Sequence, residues 1–199
     1  MVFDPNKWDF NNTNWRLNTS NYKSSPSGLE FTGRNGALCK DNNAMGINMG
    51  KIGTWVKTPY YQSKPYILIH FRCDDAPGSF STGYVGTALY GWSVFMNPSG
   101  TSPFGGGFYW QGNNIENRDP LFNVEKPEDW HYVEVLWWVS SGVLIVRVLL
   151  DGIKLYNDLT DSLNRGDGNR GRAGIGGWVN YTGFNPFFDD TSIYKASEG

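Results

Sequence analysis

Two strongly apolar segments stand only three residues apart: 131–139, HYVEVLWWV, and 143–150, VLIVRVLL, with Ser140-Ser141-Gly142 between them. A short connection ending in glycine between β-branched and aromatic runs is the mark of a β-hairpin. The near-continuous apolar content predicts central strands covered on both sides. A lone hairpin cannot supply that cover, so the pair demands a second layer, as in a two-sheet sandwich or beneath a face closed by loops.

The rest of the chain repeats the same rhythm. Short apolar or alternating runs at 15–18, 28–32, 53–58, 65–73, 84–96, 104–111, 153–156, 173–179 and 187–194 are bounded by Gly, Pro, Asn and Asp. None keeps a helical period long enough to compete with a strand reading. The segment 159–172, LTDSLNRGDGNRGR, is polar and glycine-rich and reads as an exposed loop. No fixed-period repeat or linker divides the chain, so 1–199 reads as one all-β domain, a two-sheet antiparallel jelly-roll sandwich.

Composition narrows what such a domain can do. Charged residues are 18% of the chain, below the roughly 25% of an average domain, while aromatics reach 16% with 9 Trp and 11 Tyr. The surface must therefore be covered by neutral polar groups and rings. A net charge of -2 without a Lys/Arg run gives no footprint for nucleic acid or an anionic membrane. No apolar run reaches the roughly 18 residues of a membrane span. The opening MVFDPNKWDF lacks the regions of a signal peptide, so the expectation is an excised piece of a larger secreted or surface protein that has lost its leader. Sequons at Asn11, Asn18 and Asn180 occur at chance level, and Cys39 and Cys73 fit one disulfide or two thiols equally well.

In its last third the chain runs in a recognisable order. Trp130 opens a strand, the hairpin follows, Asp151-Gly152 turns into IKLYND, then come the glycine-rich AGIGGWV and the closing acidic FFDDTSIYK. That order, over roughly 128–195, resembles the concanavalin A-like and laminin-G-like superfamily. The resemblance implies a jelly roll whose concave sheet or rim loops hold sugar, often with a bound calcium elsewhere. Asp189 and Asp190, with Asp4 or Asp9 and N-terminal carbonyls, would be the hard oxygen ligands for that ion. An equal alternative is that they solvate a closing edge strand.

Strand alternation nominates the ligand-facing residues. Ile67, Ile69, Phe71 and Cys73 are expected to face the core, which turns Tyr66, Leu68, His70, Arg72 and Asp74 the other way. By the same parity Glu134 and Trp138 point outward, as do Tyr109 and Gln111 in FYWQ. If these strands share one concave sheet, His70, Arg72, Tyr109, Gln111, Glu134 and Trp138 converge on one groove. Such a set suits a glycan, because rings stack on the apolar faces of sugars while amides, Arg and carboxylates bind hydroxyls. Trp92, Trp110, Trp138 and Trp178 are the candidate stacking rings, against the alternative that a Trp in a sandwich belongs to its core.

Two enzymatic patterns bear on the same strands. The Glu-x-Asp-x-x-Glu strand of retaining glycosidases on this fold is absent, and Glu125, Glu128 and Asp129 fall in a Pro-containing loop. GFYWQ at 107–111 and Ile69-His70 are, however, similar to strands of jelly-roll alginate lyases. That similarity would cast Tyr109 and His70 as the proton-transfer pair of a β-elimination, with Gln111 and Arg72 on the uronate carboxylate. Leu68 stands where that family carries Gln, and no Arg-x-Glu strand is found. Three readings follow: a non-catalytic polysaccharide-binding domain acting outside cells or at their surface, a polysaccharide lyase, and a structural jelly-roll module of an adhesin, viral fibre or coat.

Overall fold

The computed structural model describes residues 4–10, 14–24, 26–33, 35–40, 48–58, 65–74, 91–97, 102–168, 171–179 and 185–195. Apart from a 3-10 turn at Pro5–Lys7, the regular structure among them is β: β1 Trp8–Phe10, β2 Trp15–Asn18, β3 Gly28–Phe31, β4 Asn35–Cys39, β5 Met49–Lys57, β6 Tyr66–Cys73, β7 Trp92–Asn97, β8 Gly105–Trp110, β9 Asn113–Arg118, β10 His131–Ser140, β11 Val143–Leu150, β12 Ile153–Lys154, β13 Leu159–Asp161, β14 Arg172–Trp178 and β15 Phe187–Lys195. They form two antiparallel sheets. Sheet A has the order β1-β4-β14-β6-β7-β8-β9, and sheet B the order β12-β11-β10-β5-β15-β3-β2, with β13 beside β11. Strands distant in sequence lie side by side, as a jelly roll requires.

Turn chemistry fixes the hairpins. The connection after β10 is two residues, not three: Ser141 and Gly142 both have positive φ, as do Gln111-Gly112 after β8 and Asp151-Gly152 after β11. Positive φ at both central positions matches the right-handed twist of the flanking strands, and glycine at the second position adopts it without steric cost.

Between the sheets lies one core. Ile67, Ile69 and Phe71 of β6 and Trp92, Val94 and Met96 of β7 meet Ile52, Val133, Val135, Trp137, Val146 and Phe188 from sheet B. Phe71 sits between Trp92 at 6.2 Å and Trp137 at 5.2 Å, stacked on both. The sequence expectation that β10 and β11 are covered on both sides is corrected here. Both strands alternate buried and half-buried positions. Their outer face is screened by neighbouring side chains: Arg147 lies 5.2 Å over the Trp138 ring, and Lys51 of β5 reaches Glu134 at 2.8 Å.

Polar anchoring closes the far edge of sheet B. Glu30 is buried, and its carboxylate accepts from Arg16 Nε at 2.8 Å, from Asn18 Nδ2 at 2.6 Å and from Asn185 Nδ2 at 2.5 Å. Burial works to raise its pKa, yet the hydrogen bonds outweigh it and hold the group below its ordinary value of 4.5. A lowered folded pKa means that this stabilisation is present above pH 4.5 and is lost as the pH falls further. Glu30→Gln is expected to cost about 1–3 kcal/mol at pH 7 and to flatten the loss of stability below pH 4.5, as measured by urea unfolding.

Four strands carry no counterpart in the sequence reading. β1 and β4 are short, β13 falls inside the segment read as a loop, and β9, NNIENR, is a polar edge strand. The expected run 84–96 begins as a strand at Trp92 among the described residues, and 75–90 lie outside them.

Candidate functional site

Sheet A turns one face to the core and the other away from it. On the outer face, register brings Gly176 of β14, Leu68 of β6, Phe95 of β7, Gly107 of β8 and Asn117 of β9 into one row. The next row holds Gly174, His70, Ser93 and Tyr109. At the strand ends Trp178 pairs with Tyr66. Rings and glycines therefore share this face, on which Leu68, His70 and Ser93 are buried and Tyr66, Phe95 and Tyr109 are half-buried. A Cβ on Gly107 would sit 2.6 Å from Glu116 O and 2.8 Å from Asn117 Oδ1, so only glycine leaves the floor flat there.

The rings run diagonally across the strands. Tyr66 and Phe95 have centroids 4.1 Å apart, Phe95 and Tyr109 5.5 Å, and Trp178 backs Tyr66 at 5.4 Å. Tyr66, Phe95 and Tyr109 are half-buried, while Trp178 is nearly sealed at 5% exposure. Beside them lies a depression of about 280 Å³, lined by Tyr66, Phe95, Asn97, Gly105, Gly106, Asn117, Arg118 and Asp119.

Polar groups along the depression are ordered. Asn114 Nδ2 donates to Asn117 Oδ1 at 2.7 Å and to the Tyr109 hydroxyl at 3.3 Å. Burial raises the Tyr109 pKa, and the Asn114 contact partly offsets it, so the phenol stays protonated and available as a donor. Arg118 Nη2 is paired with Glu116 at 2.8 Å, and Asp119 accepts from Ser102 Oγ at 3.3 Å. Chemically, the surface offers apolar ring faces bordered by amides, a phenol and a carboxylate. It is equipped to bind a neutral polyol ring and has no nucleophile–base pair among the described lining residues.

The groove expected to gather six residues divides between two surfaces. Tyr109 is in the site. Glu134 and Trp138 are on the outer face of sheet B, where Lys51 Nζ holds Glu134 at 2.8 Å. They lie on the opposite side of the sandwich because β10 belongs to the other sheet. Gln111 is exposed in the turn after β8, where positive φ takes it out of the strand alternation. Trp92 is a core side chain with no exposure, and its Nε1 donates to Arg165 O at 3.0 Å. Trp110 packs at 5.6 Å from Trp92 and also belongs to the core margin.

Arg72 departs for a backbone reason. Its φ of 50° breaks the alternation of β6, next to the register shift opposite Arg172 and Gly174. The guanidinium is fully buried and donates to Asn164 Oδ1 at 2.9 Å. Burial lowers its pKa, while Asp167 and Asp161 raise it. The same break places Cys73 beside Leu38 instead of in the main core. Cys73 and Cys39 are not joined in a disulfide, and burial pushes the Cys73 thiol up to about 12.

His70 does point away from the core, but it is fully buried and its Nδ1 lies 2.9 Å from Ser93 Oγ. Burial pushes its pKa down to about 3, so it is neutral. Ser93 stands between His70 and Tyr109 in register, two strand spacings or about 10 Å across. The pair an elimination requires is thus not presented together to a ligand. A depressed folded pKa also has a stability consequence, since the unfolded imidazole binds a proton first. Stability tied to His70 is complete above pH 6.5 and falls toward pH 3 by at most about 1.4 kcal/mol per pH unit. Thermal melting of His70→Gln against the parent from pH 7 to 4 is expected to show a shallower slope in the variant.

The expected calcium ligands do not fit a cation. Asp189 is buried, with Oδ2 accepting from the amides of Lys23 at 2.7 Å and Ser24 at 2.8 Å, and Oδ1 accepting from the Asp190 amide at 2.8 Å. Asp190 accepts from the Ser24 hydroxyl, and Asp4 caps the 3-10 turn through Asn6 N at 3.0 Å. An ion there would displace several N–H donors from the carboxylates. No group of three or more His, Cys, Asp or Glu suited to a metal occurs among the described residues.

Tyr66, Phe95, Asn97, Asn117, Arg118 and Asp119 were not singled out as ligand-binding in the sequence. Tyr66 had the signal, through the outward parity of β6. Phe95 was hidden among the apolar residues of β7, and Asn117 and Arg118 belong to an edge strand too polar to register as one.

No family model matches the chain, and no curated protein sequence does. Solved structures do. The potassium-bound carbohydrate recognition domain of Emp46p aligns over 97% of this chain and 92% of its own, with a TM-score of 0.66 and 9% identity. The exoplasmic/lumenal domain of VIP36, in its Ca2+/Man3GlcNAc-bound form, aligns over 99% and 86%, with a TM-score of 0.60 and 11% identity. The carbohydrate-binding module CBM66 from Bacillus subtilis aligns over 92% and 96%, with a TM-score of 0.54 and 12% identity. The fold is the concanavalin A-like jelly roll that the order of C-terminal elements resembles.

Proposed function

We propose that this chain is a non-catalytic carbohydrate-binding domain that holds a glycan on the outer face of sheet A. The observation that carries the reading is the diagonal of Tyr66, Phe95 and Tyr109 over a glycine floor, bordered by Asn97, Asn114 and Asn117. Rings of this kind take the C–H face of a sugar, and amides can donate to and accept from its hydroxyls. Support also comes from the neighbours in structure, which include a carbohydrate recognition domain, a Man3GlcNAc-bound domain and a carbohydrate-binding module. An extracellular or cell-surface setting within a larger protein accords with the exoplasmic/lumenal domain among them. The reading is non-catalytic because His70, on which an elimination would depend, is buried and neutral. Asp189 and Asp190 enter it as anchors of the loop at Lys23 and Ser24.

A glycan array with the intact protein is the direct test. Binding to one or more glycans, lost in Phe95→Ala and retained in Trp138→Ala, is expected. No binding to any glycan, together with concentration-dependent self-assembly, would favour the structural module instead.

A further inference from the structure

We infer that the ligand is a neutral glycan chain read over several consecutive units, not a single terminal sugar and not a uronate polymer. This rests on the carbohydrate reading above and goes on to name the class of ligand.

The length follows from the rings. Tyr66, Phe95 and Tyr109 lie on three successive strands, with centroid separations of 4.1 Å and 5.5 Å. Strands are spaced about 4.8 Å apart, so the diagonal crosses about 10 Å of surface before the adjoining depression is counted. One pyranose ring covers one interval of such a row and leaves the remaining aromatic surface wet. A chain of linked rings covers it all, and each added unit removes further apolar area from water. The glycine floor favours the same ligand, because a side chain at Gly107 would interrupt the path between Phe95 and Asn117.

The charge follows from the border. Among the described lining residues the cation is Arg118, and its guanidinium is already held by Glu116 at 2.8 Å. Asp119 adds a carboxylate at the same end, so these three groups sum to one negative charge. The remaining polar contributions are neutral: Asn97, Asn114, Asn117 and the Tyr109 phenol. A polyuronate would bring its carboxylates to this border, where the described lining residues offer no cation beyond the Arg118 that Glu116 already pairs, and like charges at short range disfavour binding.

Titration calorimetry with neutral gluco-, manno- and xylo-oligosaccharides of one to six units, beside oligogalacturonates of the same lengths, tests both halves. For the neutral series that binds, affinity is expected to rise by about tenfold or more from one unit to three and to level off beyond four. Oligogalacturonates are expected to bind at least about tenfold more weakly at low salt, and Asp119→Asn to narrow that gap. Equal affinity for one unit and six, or tighter binding of the uronates, would overturn this inference while leaving glycan binding intact. Failure of every neutral and acidic oligosaccharide, with a blank glycan array, would instead remove the carbohydrate reading beneath it.

Discussion

Replacing Tyr66 and Phe95 together by alanine is expected to weaken glycan binding by more than a hundredfold while the protein stays folded. Ring anchors at the centre of a binding surface typically contribute about 2 kcal/mol each, roughly thirtyfold, and these two lie in one contact at 4.1 Å. Both are half-buried on the outer face, so their truncation opens no cavity between the sheets. Trp178, packed on Tyr66 at 5.4 Å, would gain exposure, and a modest drop in melting temperature is the expected cost. Calorimetric titration with the best array ligand, and circular dichroism to confirm the fold, check the result. The same titration on Trp138→Ala, which alters the opposite sheet, should match the parent within about twofold.

Trp92→Ala is expected to act on stability instead, with a loss of about 3–5 kcal/mol. That is a large part of the roughly 5–15 kcal/mol that holds a domain folded. The indole is fully buried, stacks on Phe71 at 6.2 Å and donates to Arg165 O at 3.0 Å. Its removal would leave a cavity and also release the Arg165 carbonyl. The loop carrying Arg165 also receives Arg72 through Asn164, so its loosening would expose a buried guanidinium. Urea unfolding should show the lowered midpoint, whereas the fraction that remains folded should still bind glycan. A folded variant that loses binding alone would place Trp92 in the site and contradict its position here.

These two outcomes separate rings that look alike in the sequence. Parity in β6 and β10 correctly divided inward from outward side chains at Ile67, Ile69, Val133 and Val135. Parity names a face of a sheet, but it does not say which sheet. Tyr109 and Trp138 are both outward, yet β8 and β10 belong to opposite layers, and that assignment depends on long-range pairing. Local backbone irregularities removed two further candidates. Arg72 and Gln111 both have positive φ, the first at an irregularity in β6 and the second in a turn, and neither residue type signals it. Glycine did signal its turns, at Gly112, Gly142 and Gly152. In the C-terminal part, β10, β11 and β12 were legible because they pair locally, whereas β14 and β15 were legible only by composition, since they pair with the distant β4, β6, β5 and β3. The polar edge strand β9 was not, since its residues are held by pairing with β8 and not by an apolar pattern of their own.

The most direct test of the account is to locate a bound glycan on the isotopically labelled protein by amide chemical-shift mapping. The shifts are expected to cluster at Tyr66, Phe95, Asn97, Tyr109 and Asn117 on sheet A. Shifts confined to the outer face of sheet B, around Trp138 and Tyr194, would contradict it.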